Sequence, residues 1–171
     1  MKVCIVTPFF DESPEYSRPG FVRATLKENG FDVLSVVSDF SHGKKCIQVF
    51  SDDDISVVKT MQYRNNTSLL RFFSHAALSY SLAYRALKYR NSVDVFYVTA
   101  PFSIVVLILK LFSVKPVIVD IVDLWPDSLP FKKSILFSPI LSVWRIINLY
   151  SIGKANRVIS LSSTFLRQVN I

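Results

Sequence analysis

The densest group of side chains able to do chemistry is the run Asp120-Ile121-Val122-Asp123-Leu124-Trp125-Pro126-Asp127-Ser128. It ends a nearly continuous apolar segment, Pro116–Ile121, that reads as a strand buried on both sides. Carboxylates at the end of such a strand are costly unless they have partners. Two of them beside a Trp-Pro corner make a candidate site. Asp123 would accept hydrogen bonds from ligand hydroxyls, and Trp125 would form an apolar wall. The alternative is structural: Asp120 and Asp123 cap loop amides and Trp125 is core. A second candidate is the segment from Pro8 to Gly20, long for a strand-to-helix connection. Ser17, Arg18 and Gly20 lie where a helix N-terminus could hold an anion, with Arg18 adding charge. The plainer reading is an ordinary cap with an exposed arginine.

Other chemistries are excluded early. His42 and His75 are the only histidines, so a His-rich metal site is ruled out and no metal site is expected. Cys4 and Cys46 are too few for a disulfide framework and lack CxxC spacing, and Cys4 falls in an apolar strand as a small core residue. The four glycines, at 20, 30, 43 and 153, supply neither GxGxxG nor GxxxxGK[ST].

The elements that must position these groups alternate in period. Lys2–Thr7, Asp32–Ser38, Asp94–Thr99, Pro116–Ile121 and Arg157–Leu161 read as strands, with shorter strands at Cys46–Phe50 and Ile55–Thr60. Arg18–Asn29, Thr67–Arg90 and Phe102–Phe112 have helical spacing. Ser138-Pro139 looks like a cap followed by Pro at the first helical position, opening a helix to about Ile152. Ser162 or Ser163 caps a last helix. Alternation of this kind predicts an α/β fold: a Rossmann-like, doubly wound, mostly parallel sheet with helices on both faces. Ligands of such folds bind at the carboxyl ends of the strands, in the loops after Thr7, Ser38, Thr99, Ile121 and Leu161.

The chain has 171 residues, half of them hydrophobic and only 19% charged, which excludes a disordered tail or a coiled coil. Mean hydropathy is high, +0.35, yet no apolar run reaches the ~20 residues that span a bilayer. The N-terminus reads as a strand rather than a signal peptide, so a cytoplasmic location is expected. The net charge is +7, and the bases are unevenly placed. Ile55–Val93 and Ser128–Ile171 contain no acid, and together they hold 12 of the 20 bases. That asymmetry points to an anionic partner or to a basic solvated face. Tyr63-Arg64 and Arg71-Phe72-Phe73 place aromatics beside bases, but no nucleic-acid motif is present and the aromatics fall at core spacing. No nucleic-acid partner is therefore expected.

Several segments share a resemblance. Thr7-Pro8-Phe9-Phe10, then a helix, then Gly30-Phe31-Asp32-Val33 resembles the opening of family-4-type glycosyltransferases of the GT-B fold. Asp120 to Ser128 is similar to a motif of the same family. Ser138-Pro139 through Asn156-Arg157-Val158-Ile159-Ser160-Leu161-Ser162 and Ser38-Asp39-Phe40-Ser41-His42 resemble two more of its segments. The match runs in order along nearly the whole chain, residues 1–171. It implies the N-terminal, acceptor-binding half of a retaining glycosyltransferase that builds cell-surface glycan, such as capsule or O-antigen polysaccharide. The donor would be a nucleotide-sugar held by a second domain, with no other cofactor. The acceptor would be a lipid-linked sugar or a polysaccharide. Without the donor domain the 171 residues would be inactive alone. The resemblance supports Asp123 as the catalytic-site residue. It supplies no general base, because the position of the family's site histidine is Val122. The family's paired glycines in the first loop reduce to Gly20 after Arg18-Pro19.

The resemblance leaves alternatives: a non-catalytic acceptor-binding or membrane-docking subunit of a two-chain transferase, or an inactive fragment. The predicted site is a cleft at the carboxyl edge, formed by Phe10, Arg18, Gly20, His42, Pro101, Asp120, Asp123 and Trp125. Peripheral docking on the anionic inner face of a membrane is also expected. On a Thr67–Arg90 helix, Arg71, His75 and Arg85 fall within roughly 80° of one another at ~100° per residue. Leu69, Leu70, Phe72 and Phe73 lie beside them, and Lys132-Lys133 precedes the apolar stretch around Phe137 and Trp144.

Overall fold

The computed structural model describes residues 1–12, 17–41, 46–60, 69–101, 103–125 and 138–168. Its order is β1 (Lys2–Thr7), α1 (Arg18–Glu28), β2 (Asp32–Ser38), β3 (Phe40–Ser41), β4 (Cys46–Ile47), β5 (Ile55–Val58), α2 (Leu69–Leu87), β6 (Val95–Ala100), α3 (Ile104–Phe112), β7 (Val117–Ile121), α4 (Ser138–Gly153), β8 (Arg157–Ser160) and α5 (Ser163–Gln168). Six strands form one all-parallel sheet in the order β5-β2-β1-β6-β7-β8. This is the Rossmann-like α/β architecture that the alternating periods predict.

The direction of winding reverses at β1. The chain moves to one side through β2 and β5, then crosses back to β6, β7 and β8. Right-handed crossovers therefore put α1 on one face and α2, α3 and α4 on the other. The two core clusters record this division. Val3, Ile5, Val33, Val95 and Tyr97 pack with Val22 and Leu26 of α1. Cys4, Val36, Phe96 and Val119 pack with Leu82 of α2, Leu109 of α3 and Ile152 of α4. Cys4 is fully buried, and loss of hydration pushes its thiol up to about 12.

The short strands depart from expectation. Cys46–Ile47 does not join the sheet; it pairs antiparallel with Phe40–Ser41 as a separate ribbon. Ile47 is exposed, so burial does not draw this segment into the central layer. Gly30 takes a φ of 79°, the left-handed conformation that lets the chain leave α1 for β2.

A half-buried ion cluster clamps α1 to the turn before β5. The Asp52 carboxylate accepts from the Asp54 backbone N–H at 2.9 Å and from Arg23 at 2.6 Å. These bonds hold its pKa near about 2, against an ordinary 3.8, with the Asp54 amide as the larger cause. A depressed carboxylate adds stability above its unfolded pKa and loses it as pH falls through the folded one. Asp52→Asn is expected to cost under about 1 kcal/mol at neutral pH, because the carboxylate is 34% exposed and water screens it. In acid titrations followed by denaturant melts, the two proteins should converge between pH 3.8 and about 2. A gap that persists below that window would mean that the cluster acts through packing rather than charge.

Candidate functional site

The switch point of the sheet lies between β1 and β6, which leave it toward different loops. Their last polar residues meet there: Thr99 Oγ1 donates to Thr7 Oγ1 at 2.7 Å. Thr99 faces Asp120 in the parallel register, and Tyr97 lies two residues before Thr99, so all three side chains project to the α1 face. Asp120 is fully buried. Its Oδ1 accepts from Arg18 Nη2 at 2.9 Å, and its Oδ2 accepts from Arg18 Nε and from the Tyr97 hydroxyl. The bidentate fork is the geometry that suits a guanidinium to a carboxylate. Bonding to the carboxylate raises the Arg18 pKa further. Burial, then the bond to Asp120, pushes the Tyr97 phenol well above its ordinary 10.0.

This network corrects part of the sequence reading. Arg18 does not offer an unpaired charge to an anion; a fully buried carboxylate demands a partner, and Arg18 supplies it. Asp120 is likewise spent on Arg18 and Tyr97, so it positions groups rather than contacting a ligand. The start of α1 is an ordinary cap. The Ser17 hydroxyl accepts from the Gly20 amide at 3.1 Å, and Pro19 has no amide to offer. Phe10 is buried, with its ring 5.8 Å from Phe50, so it is core rather than a cleft wall. His42 lies outside the described residues.

The groups after β7 turn to the opposite face. Asp123 is half-buried, and its Oδ2 accepts from Trp125 Nε1 at 2.8 Å. Trp125 is buried rather than presented to solvent. Its ring lies edge-on to His75 of α2 at 4.8 Å and to Trp144 of α4 at 6.0 Å. Arg18 and Asp120 thus occupy the α1 side of the carboxyl edge, while Trp125 sits among the helices of the other side. Asp123, between them in sequence, keeps solvent access. Pro101 is buried directly after β6 and lines a cavity with Trp125.

Sequence reasoning missed Tyr97 and Asn148. Tyr97 was legible only as an apolar strand residue; its partner became visible from the register. Asn148 falls on α4 one turn after Trp144, and it is buried. Its Nδ2 donates to the Trp125 carbonyl at 2.6 Å, and its Oδ1 accepts from Ser103 Oγ. One amide therefore ties α4, the start of α3 and the segment after β7 together. Asn148→Leu strands that carbonyl and that hydroxyl, and should cost about 2 kcal/mol in urea unfolding. Asn148→Asp keeps only the acceptor and should not recover the loss. A cost near zero would show that the amide bonds are dispensable.

The membrane-facing stripe expected on α2 is also corrected. His75 is buried against Trp125, and Arg85 is half-buried with its guanidinium 3.4 Å from Ser56 Oγ. Tyr80 and Tyr84 take the outward positions instead. The side chains of Leu69, Leu70, Arg71, Phe72 and Phe73, together with Lys132-Lys133 and Phe137, lie outside what the structure describes. Among the described residues, no helix is long and apolar enough to cross a membrane.

No family model and no curated protein matches this sequence. Among solved structures, the chain is similar to a protein of unknown function from Vibrio parahaemolyticus at 14% identity and a TM-score of 0.42, over 95% of this chain and 93% of that one. A likeness at that level carries no functional argument.

Proposed function

We propose that this chain is the acceptor-side domain of a retaining, GT-B-type glycosyltransferase. It would move a sugar from a nucleotide-sugar to a lipid-linked or polysaccharide acceptor on the inner, anionic face of a membrane. The observation that carries this reading is the placement of Asp123. It leaves the carboxyl end of β7, two strands from β1, at the edge where ligands of wound α/β sheets bind. It keeps solvent access while neighbouring Asp120 and Trp125 are buried. The resemblance of the surrounding motif assigns the same residue.

The roles are modest and specific. Asp123 accepts hydrogen bonds from acceptor hydroxyls, and the Trp125 indole holds that carboxylate in place. The Arg18–Asp120–Tyr97 network fixes the start of α1 against β6 and β7 at the same edge of the sheet. Stabilising the departing nucleotide diphosphate needs fixed positive charge, which a donor domain would supply. Membrane work is supported by α4, whose Ile140, Val143, Ile146, Ile147 and Tyr150 are exposed. The helix carries Arg145 and no acid. Such a face suits an anionic lipid surface, each nearby base adding on the order of 1 kcal/mol.

The test is incorporation of labelled sugar. Membranes from the source cell, given a panel of nucleotide-sugars, should lose one incorporated label when the gene is deleted and regain it on complementation. Unchanged incorporation across the panel overturns the reading.

A further inference from the structure

We propose that a cavity between α2, α3 and α4 holds one aliphatic chain of a phosphate-headed membrane amphiphile. The cavity measures about 360 Å³. That is more than twice the roughly 150 Å³ void that admits a benzene, and it falls within the roughly 300–1,000 Å³ range of ligand pockets. Its wall includes His75, Ser79, Ile104, Trp125, Val143 and Trp144.

Three observations select a hydrocarbon occupant. First, three polar groups at the wall are turned to the protein. Asn148 is engaged by the Trp125 carbonyl and the Ser103 hydroxyl, and Ser79 Oγ donates to the His75 carbonyl at 2.8 Å. Trp125 Nε1 is given to Asp123. A sugar or a nucleotide would leave its own hydroxyls unpaired among these groups, whereas a methylene chain leaves nothing unpaired. Second, the cavity is continuous with a solvent-facing apolar surface. Ile140, Val143 and Ile147 both line it and stand exposed on α4, so a chain can enter from that side. Third, α4, which forms that exposed side, carries Arg145 and no acid, which favours an anionic head over a cationic one.

The binding of an aliphatic chain stands on this geometry; only the identity of the amphiphile as a glycan acceptor rests on the function proposed above. The chain's two tryptophans, Trp125 and Trp144, both line the cavity, so intrinsic emission reports on it directly. Dodecyl phosphate, titrated below its micelle concentration, should shift that emission and saturate at one molecule per protein. Inorganic phosphate should leave it unchanged, and dodecyltrimethylammonium should bind at least tenfold more weakly.

Two variants narrow the cavity without touching the proposed sugar site. Ala76→Phe adds a ring to the wall, and Val143→Phe does so from a position that is 57% exposed and tolerant of substitution. Each should weaken dodecyl phosphate binding at least tenfold, with an unchanged circular-dichroism melt for Val143→Phe. Absence of binding, a stoichiometry that climbs without saturation, or affinity unaffected by both variants overturns the proposal. Equal affinity for the ammonium amphiphile overturns its anionic part. Sugar incorporation that depends on the gene, together with no amphiphile binding, would sink this inference and leave the proposed function standing. Binding without any gene-dependent incorporation would do the reverse.

Discussion

Arg18→Met should lower the free energy of unfolding by about 3 kcal/mol, more than any other single change to an ion pair in this protein. The reason is the environment of its partner. Asp120 has no solvent exposure, whereas the Arg18 side chain is 27% exposed. Removing the arginine leaves a carboxylate with no water and one remaining donor, the Tyr97 hydroxyl. The exposed pairs of Lys27 with Asp52 and Asp54 carry no such penalty, and their loss should stay below about 1 kcal/mol. Tyr97→Phe removes one bond and keeps the ion pair, so it should cost about 1 kcal/mol. The double variant Arg18→Met/Asp120→Leu removes both charges together. It should recover more than half of the single loss, because a buried ion pair is replaceable by apolar side chains but intolerant of halving. Urea melts with unchanged slope would read these values. A double variant as unstable as the sum of the two singles would show that packing, not charge, governs the site.

That network also shows where the sequence was legible and where it was not. The β–α alternation is written in apolar periods, so the parallel sheet and its carboxyl edge could be placed from residues such as Val117–Val119 and the cap at Ser17. The same apolar pattern hid the face of each strand. In strands buried on both sides, period two carries no inside–outside contrast. The bond between Tyr97 and Asp120 depends on the register of β6 with β7, which only the sheet supplies. The helical wheel of α2 misplaced His75 and Arg85 for a related reason. A helix on a sheet has two flanks that touch neighbours, and Trp125 after β7 covers His75 while Ser56 of β5 meets Arg85. Trp125 was read as an open wall because a Trp-Pro corner after a strand suggests a loop. Asn148, remote in sequence, draws its carbonyl inward and buries the ring.

On the function proposed above, Asp123→Asn should reduce gene-dependent sugar incorporation roughly 100-fold while shifting the melting temperature by no more than a few degrees. The substitution isolates charge from structure. Among the described residues, the Asp123 side chain makes one hydrogen bond, which its Oδ2 accepts from Trp125 Nε1 at 2.8 Å. An asparagine can present its carbonyl oxygen to the same indole, so the loop and the Trp125 ring keep their support. What disappears is the negative charge facing solvent, the property that strengthens the hydrogen bonds accepted from acceptor hydroxyls. Asp123→Ala removes the indole's acceptor as well, and should add a stability cost of about 1 kcal/mol to the same loss of transfer. The comparison separates the two roles. A structural aspartate would give a mild Asn variant and a damaged Ala variant in both assays. A site aspartate gives two variants that are equally inactive and unequally stable. Equal retention of transfer by Asn and Ala would remove Asp123 from the chemistry altogether.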